Sequence, residues 1–170
     1  MKFHMEHQFN WPMEKIVEIL KAGQYLVPMD KMPNVNEHRE VSVERKGSKI
    51  FKKCEWCVHG KIPKIAQKII RPEMLTFIED TVWDDDTTTF TTKIIPHFFK
   101  KQFDCRTSSR WGPAGEGKTV RKFQGNIIIK FPLFGPPVEK AIIQQLKANN
   151  DRNAVLVREA LAERLGPPTE

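Results

Sequence analysis

Long apolar runs are missing from this sequence: nowhere do about 18 consecutive apolar residues occur, so a membrane-spanning helix is not expected. The opening "MKFHMEHQFNWP" likewise lacks the apolar stretch of a secretory signal. Cysteine is sparse, with three residues in 170 and no spacing that suggests a disulfide framework. These absences lead us to expect a soluble protein of a reducing, cytoplasmic compartment. Neither internal repeats nor low-complexity tracts are found. The length fits one domain spanning 1–170, large enough to bury about two thirds of its unfolded surface.

What is plentiful is charge. Lysine and arginine number 28 against 21 acidic residues, a net +7 with a pI near 9.4. The signs are mixed along the chain, which favours an anionic partner or surface without naming one.

One motif would name a partner outright. "GPAGEGKT", residues 112–119, satisfies the spacing of a phosphate-binding P-loop, in which a buried strand delivers a glycine-rich turn to the start of a helix. Upstream, Phe103, Cys105, Thr107, Ser109 and Trp111 alternate with polar residues, the pattern of a strand with one wet face. Downstream, Phe123, Ile127, Ile129 and Phe131 share one parity around Gly125, which is again strand patterning where a helix is required. No later apolar strand ends in an aspartate for magnesium. We therefore expect a glycine-rich hairpin loop, and no nucleotide.

The remaining chain reads in order. Phe3, Met5, His7 and Phe9 alternate with polar residues, predicting a half-buried strand. Asn10 and Pro12 predict the start of a helix that stops at Gly23. A connector over 24–36 follows, then a hairpin turning at Lys46-Gly47-Ser48 and another turning at Asp84 to Asp86. Further strands are predicted over 98–111 and 118–131. Between Pro136 and Leu165, Val138, Ile142, Leu146, Val157, Leu161 and Leu165 mark the stripe of one long amphipathic helix, closed by Gly166.

Strand, helix, a run of antiparallel strands and one long C-terminal helix make an α+β class. A curved antiparallel sheet of this size needs a lid on its concave face, and the last helix supplies it. This order resembles the helix-grip fold of the START-like (SRPBCC) superfamily, whose members hold lipids, sterols, polyketides or other apolar ligands between sheet and helix. "FPLFGPPVEKAIIQQLK" resembles a bacterial START-like family of unknown function. Phe9, Asn10, Pro12 and Glu14, with Glu55, Trp56 and Pro63, resemble the pattern of the PRELI phospholipid-transfer family. The resemblance implies binding, and transfer in some members, of a hydrophobic small molecule or lipid. It also leaves open a cyclase- or dehydratase-type enzyme on the same fold, for which His7 and Glu79 are the candidate acid–base pair.

Parity nominates His7, Phe9, Phe103, Ser109, Trp111, Arg121, Phe123 and Ile127 as ligand-facing. Arg121 cannot shed its charge when buried, so it needs either Glu79 or Asp80 as an internal partner, or a ligand head group. His7 is either a satisfied core histidine or a ligand contact, and Trp56 is expected in the core. In "GKIPKIAQKIIRP", Lys61, Lys64, Lys68 and Arg71 recur opposite isoleucines, predicting a basic amphipathic helix over 61–71. It either packs as a lid with solvated lysines or makes peripheral contact with an anionic membrane, joined there by Phe98, Phe99, Lys100 and Lys101.

"CEWC" is neither a redox nor a zinc site on this reading, because Cys54 and Cys57 in a strand point to opposite faces. Asp84 to Asp86 is a solvated turn, and His97 stands alone. No metal, cofactor or nucleic-acid partner is expected.

Overall fold

Strict alternation of apolar and polar residues builds β1 (Lys2–Phe9), which turns Phe3, Met5, His7 and Phe9 inward. The structure is a computed structural model that describes residues 1–32 and 34–170. Helix α1 (Met13–Lys21) buries Ile16, Val17 and Leu20. It begins later than Asn10 because Pro12 holds extended backbone at the cap. The Asn10 carbonyl instead accepts the Thr169 N–H at 2.7 Å, which ties the tail to the first strand's exit. A 3-10 turn (Met29–Lys31) lies in the connector.

Six strands then run antiparallel: β2 (Val35–Lys46), β3 (Lys49–Val58), β4 (Thr76–Asp84), β5 (Thr89–Pro96), β6 (Phe103–Pro113) and β7 (Thr119–Ile129). Both predicted hairpins are present, the first turning on Gly47 at φ 59°. The sheet order is β1-β7-β6-β5-β4-β3-β2, so the first strand closes onto the last. Strand β6 starts at Phe103 and not near 98, because Phe99 takes up φ 57° and its carbonyl accepts the Gln102 N–H. "GPAGEGKT" spans the β6–β7 hairpin, where the Ala114 N–H donates to the Lys118 carbonyl at 3.0 Å and β7 follows at once.

The 61–71 stretch is not an amphipathic helix. Only a 3-10 turn (Lys64–Ala66) forms, within a few hydrogen-bonded turns whose anchor is the fully buried Ala66. Pro72 limits the segment at its end, because a proline pushes the residue before it into extended backbone, as seen at Arg71 with ψ 154°.

Helix α2 (Gly135–Leu165) begins with prolines in its first turn and stops at Gly166. It is fastened at both ends. Glu139 Oε1 accepts the Ile129 N–H at 2.8 Å, while Gly166 O accepts the Trp11 indole N–H at 3.0 Å. Two cores result. One joins α1 and the C-terminal half of α2 to Phe9, Trp83 and Trp111; the other joins Val138 to Phe3, Met5, Cys105, Ile127 and Phe134. This is the α+β helix-grip architecture: a curved antiparallel sheet wrapped around a long C-terminal helix. Among the described residues no helix is long and apolar enough to cross a membrane.

Candidate functional site

Between the two cores the sheet and α2 stand apart around a cavity of about 670 Å³. Strand geometry selects its walls, since alternate residues share a face. Even positions serve on β3 (Ile50, Lys52, Cys54, Trp56, Val58) and β5 (Phe90, Thr92, Ile94), and odd ones on β4 (Phe77, Glu79, Thr81, Trp83) and β6 (Phe103, Cys105, Thr107, Ser109). Phe123 and Ile129 of β7 continue the wall. Helix α2 contributes Val138, Ala141, Ile142 and Leu146, then Gln145, Asn149, Asn150 and Asn153.

Polar groups gather at two places. On the helix side, Asn149 Oδ1 accepts from Asn34 at 2.7 Å and from Gln145 at 3.0 Å, which holds the connector against α2. On the sheet side, Cys54 pairs with Glu79, Lys52 with Thr81 and Trp56 with Phe77. Glu79 is therefore the diagonal neighbour of both Lys52 and Trp56, within reach of long side chains. Burial pushes the Glu79 carboxyl up from its ordinary value, while the Trp56 indole and the Lys52 ammonium pull it partly back. Glu79 is enclosed by protein yet keeps accessible surface, and that surface belongs to the cavity. Trp56 Nε1 leans toward Glu79 but closes no hydrogen bond of normal geometry. Lys52 lies 3.9 Å from the Tyr25 ring centroid and 3.8 Å from Glu40 at the sheet edge. Burial raises the Tyr25 hydroxyl and the Cys54 thiol above their usual ranges.

Of the ligand-facing residues expected from parity, Phe103, Ser109 and Phe123 line this cavity. Ile127 lies in the second core. His7, Phe9, Trp111 and Arg121 form a separate group beneath α2. There an Arg121 N–H donates to Asn153 Oδ1 at 2.7 Å and another faces His7 Nδ1 at 3.4 Å, while His7 Nε2 meets Asp151 Oδ1 at 2.9 Å. These partners fix the neutral His7 tautomer with its proton on Nε2. Burial lowers the His7 pKa, outweighing the Asp151 hydrogen bond, and lowers that of Arg121 to about 10. The guanidinium also sits 5.6 Å from the Phe9 and Trp111 ring centroids.

Neither Glu79 nor Asp80 pairs with Arg121. Three strand spacings, about 14 Å, separate β7 from β4, and Asp80 lies on the other face near Lys53 at 3.7 Å. His7 and Glu79 are one strand further apart, too far to act on one bond. Trp56, expected in the core, faces the cavity.

The sequence reading missed Lys52, Tyr25 and the asparagines. Lys52 was detectable because it shares parity with Ile50, Cys54, Trp56 and Val58. Asn149, Asn150 and Asn153 were detectable as the gap in the apolar stripe between Leu146 and Val157.

At the mouth, Lys61, Lys64, Lys68 and Arg71 are exposed, as are Lys100 and Lys101. On the same segments Ile65, Ile69 and Phe98 are 52%, 41% and 45% exposed, and Leu133, at φ 70°, is 92% exposed. Phe98 and the less exposed Phe99 both line the cavity.

The family model described as "Protein of unknown function (DUF2505)" matches residues 4–161. No curated protein matches the chain. Among solved structures, the Zhui aromatase/cyclase from Streptomyces superposes with a TM-score of 0.63 at 14% identity, covering 99% of this chain and 100% of that one. Norcoclaurine synthase from Thalictrum flavum, in complex with dopamine and hydroxybenzaldehyde, gives 0.68 at 15%, covering 96% and 87%. A START superfamily protein from Mycobacterium smegmatis gives 0.56 at 15%, covering 96% of each. At these identities the likeness is one of fold, and the fold is that of the START-like superfamily.

Proposed function

Because the chain belongs to the DUF2505 family, whose function is unknown, we propose its function from the cavity: it binds a hydrophobic small molecule, a lipid, between the sheet and α2. The observation that carries this reading is a space of about 670 Å³ with walls chiefly of aliphatic and aromatic side chains, within the range of small-molecule sites. A fold built to bury apolar surface leaves so much of it uncovered only at a cost of about 25 cal/mol per Å², which a ligand would recover. Native mass spectrometry of freshly purified protein, followed by organic extraction, tests it. One discrete apolar molecule per chain is expected; a ligand-free mass together with no displacement of an apolar fluorescent probe by any lipid offered would sink it.

The mouth extends the proposal to delivery. Ile65, Ile69, Phe98 and Leu133 are exposed apolar side chains, and the segments that carry the first three also carry the exposed Lys61, Lys64, Lys68, Arg71, Lys100 and Lys101. That combination suits an anionic bilayer, where each cation contributes about 1 kcal/mol. Cosedimentation with phosphatidylglycerol vesicles should fall steeply with salt and be weakened by Leu133→Ser. Equal binding to neutral vesicles would remove the membrane role.

A second reading, an enzyme on this scaffold, is supported by Glu79 and Lys52 standing in one apolar cavity. Recovery of the bound molecule unaltered after prolonged incubation would count against it.

A further inference from the structure

Apart from the hydroxyls of Thr81, Thr92, Thr107 and Ser109, the polar part of the cavity's sheet wall is one corner, where the charged Lys52 and Glu79 meet Trp56 from two adjacent strands. Each group there lacks a full complement of partners. Trp56 Nε1 is buried and leans toward Glu79, but closes no hydrogen bond of normal geometry there. The nearest carboxylate to Lys52 is Glu40 at 3.8 Å, on the edge strand and half exposed, while Lys52 itself is 17% exposed. Among the described residues no cation stands within ion-pair distance of Glu79. A buried donor without an acceptor costs about 1–3 kcal/mol, so this corner is built for something the chain does not itself supply.

We infer that the Lys52–Trp56–Glu79 corner receives the carboxylate of an amphiphilic acid whose apolar body fills the rest of the cavity. The inference rests on the ligand-binding reading above and adds the chemistry of the ligand's polar end. A carboxylate offers two acceptor oxygens and one negative charge. Lys52 supplies the one balancing cation, and Trp56 supplies an N–H on the other side of Glu79. Glu79, between them, suits the same ligand in its protonated form, which burial favours and in which its O–H becomes a third donor. Two carboxyl groups sharing a site hold one proton between them, since like charges there cannot both ionise. A phosphate monoester fits less well, because its second charge would face a single ammonium. An alcohol would offer Lys52 no charge beyond that of the half-exposed Glu40.

Calorimetric titration at about pH 7.5 with dodecanoate and with dodecanol separates the head group from the chain. Dodecanoate should bind on the order of tenfold tighter, as a charge-assisted contact requires. Lys52→Met should bring dodecanoate down to the affinity of dodecanol while leaving dodecanol unchanged, and Glu79→Gln, which keeps a donor, should retain most of the preference. Equal affinities in the unmodified protein, or a preference that survives Lys52→Met, would overturn the head-group site and leave the cavity reading standing. Failure of both compounds to bind would overturn the two together. A Lys52→Met chain that did not fold would be replaced by Lys52→Gln, judged by the same ratio.

Discussion

A methyl group at Gly135 would lie 2.3 Å from the Ile129 carbonyl oxygen, and no L side chain tolerates that approach. The contact joins the last strand to the last helix, so Gly135→Ala should cost about 1–3 kcal/mol, read as a lowered midpoint in denaturant unfolding. Arg121 makes the opposite case. It is buried against aromatic rings, Asn153 and a neutral histidine, with no carboxylate in contact. A hydrophobic residue of similar volume should serve nearly as well, so we expect Arg121→Met to cost under about 1 kcal/mol and to leave ligand affinity unaltered. Lost affinity would return Arg121 to the binding site. For His7, burial lowers the folded pKa below the unfolded value of 6.5, so the unfolded chain takes up the proton first. Stability from this residue is therefore present at neutral pH and lost as pH falls below about 6.5. Glu79, raised from 4.5, works in the other direction. Comparing unfolding midpoints of the parent and His7→Gln from pH 7.5 to 5 isolates the histidine, and the variant should show the shallower acid decline. At this scale the sequence disclosed which way His7 and Arg121 point, because parity is a local property. It could not disclose which strand stands opposite, and so it offered Arg121 the wrong carboxylates.

Helix α2 has 31 residues and is about 46 Å long. Its apolar stripe serves two cores, and the asparagines between them face the cavity. Ala141 is the smallest side chain on that face. Ala141→Phe should fill space without disturbing either core, lowering the affinity for an apolar probe on the order of tenfold while holding or raising the thermal midpoint. Undiminished binding would show that the ligand lies elsewhere. Helix and strand periods were plain in the sequence, and so was the lid formed by α2. The 61–71 segment misled because its lysines recur at helical spacing while the backbone makes only short hydrogen-bonded turns before Pro72 ends them. Spacing describes where charges fall, and proline decides what the backbone does. Leu133 escaped notice for a related reason, as a residue in an irregular turn carries no period at all.

For the whole molecule, element order alone implied a sheet closed by a helix, and the superposition over nearly the whole length of other START-like structures agrees. The size of the space inside was not legible, because it depends on how far apart two packed layers stand. That space has a mechanical consequence. Hydrostatic pressure favours whichever state occupies less volume, and internal voids disappear on unfolding. If that space is kept dry, a chain folded around about 670 Å³ should be softer under compression than one with a solid interior, and any molecule seated there should act as an incompressible strut.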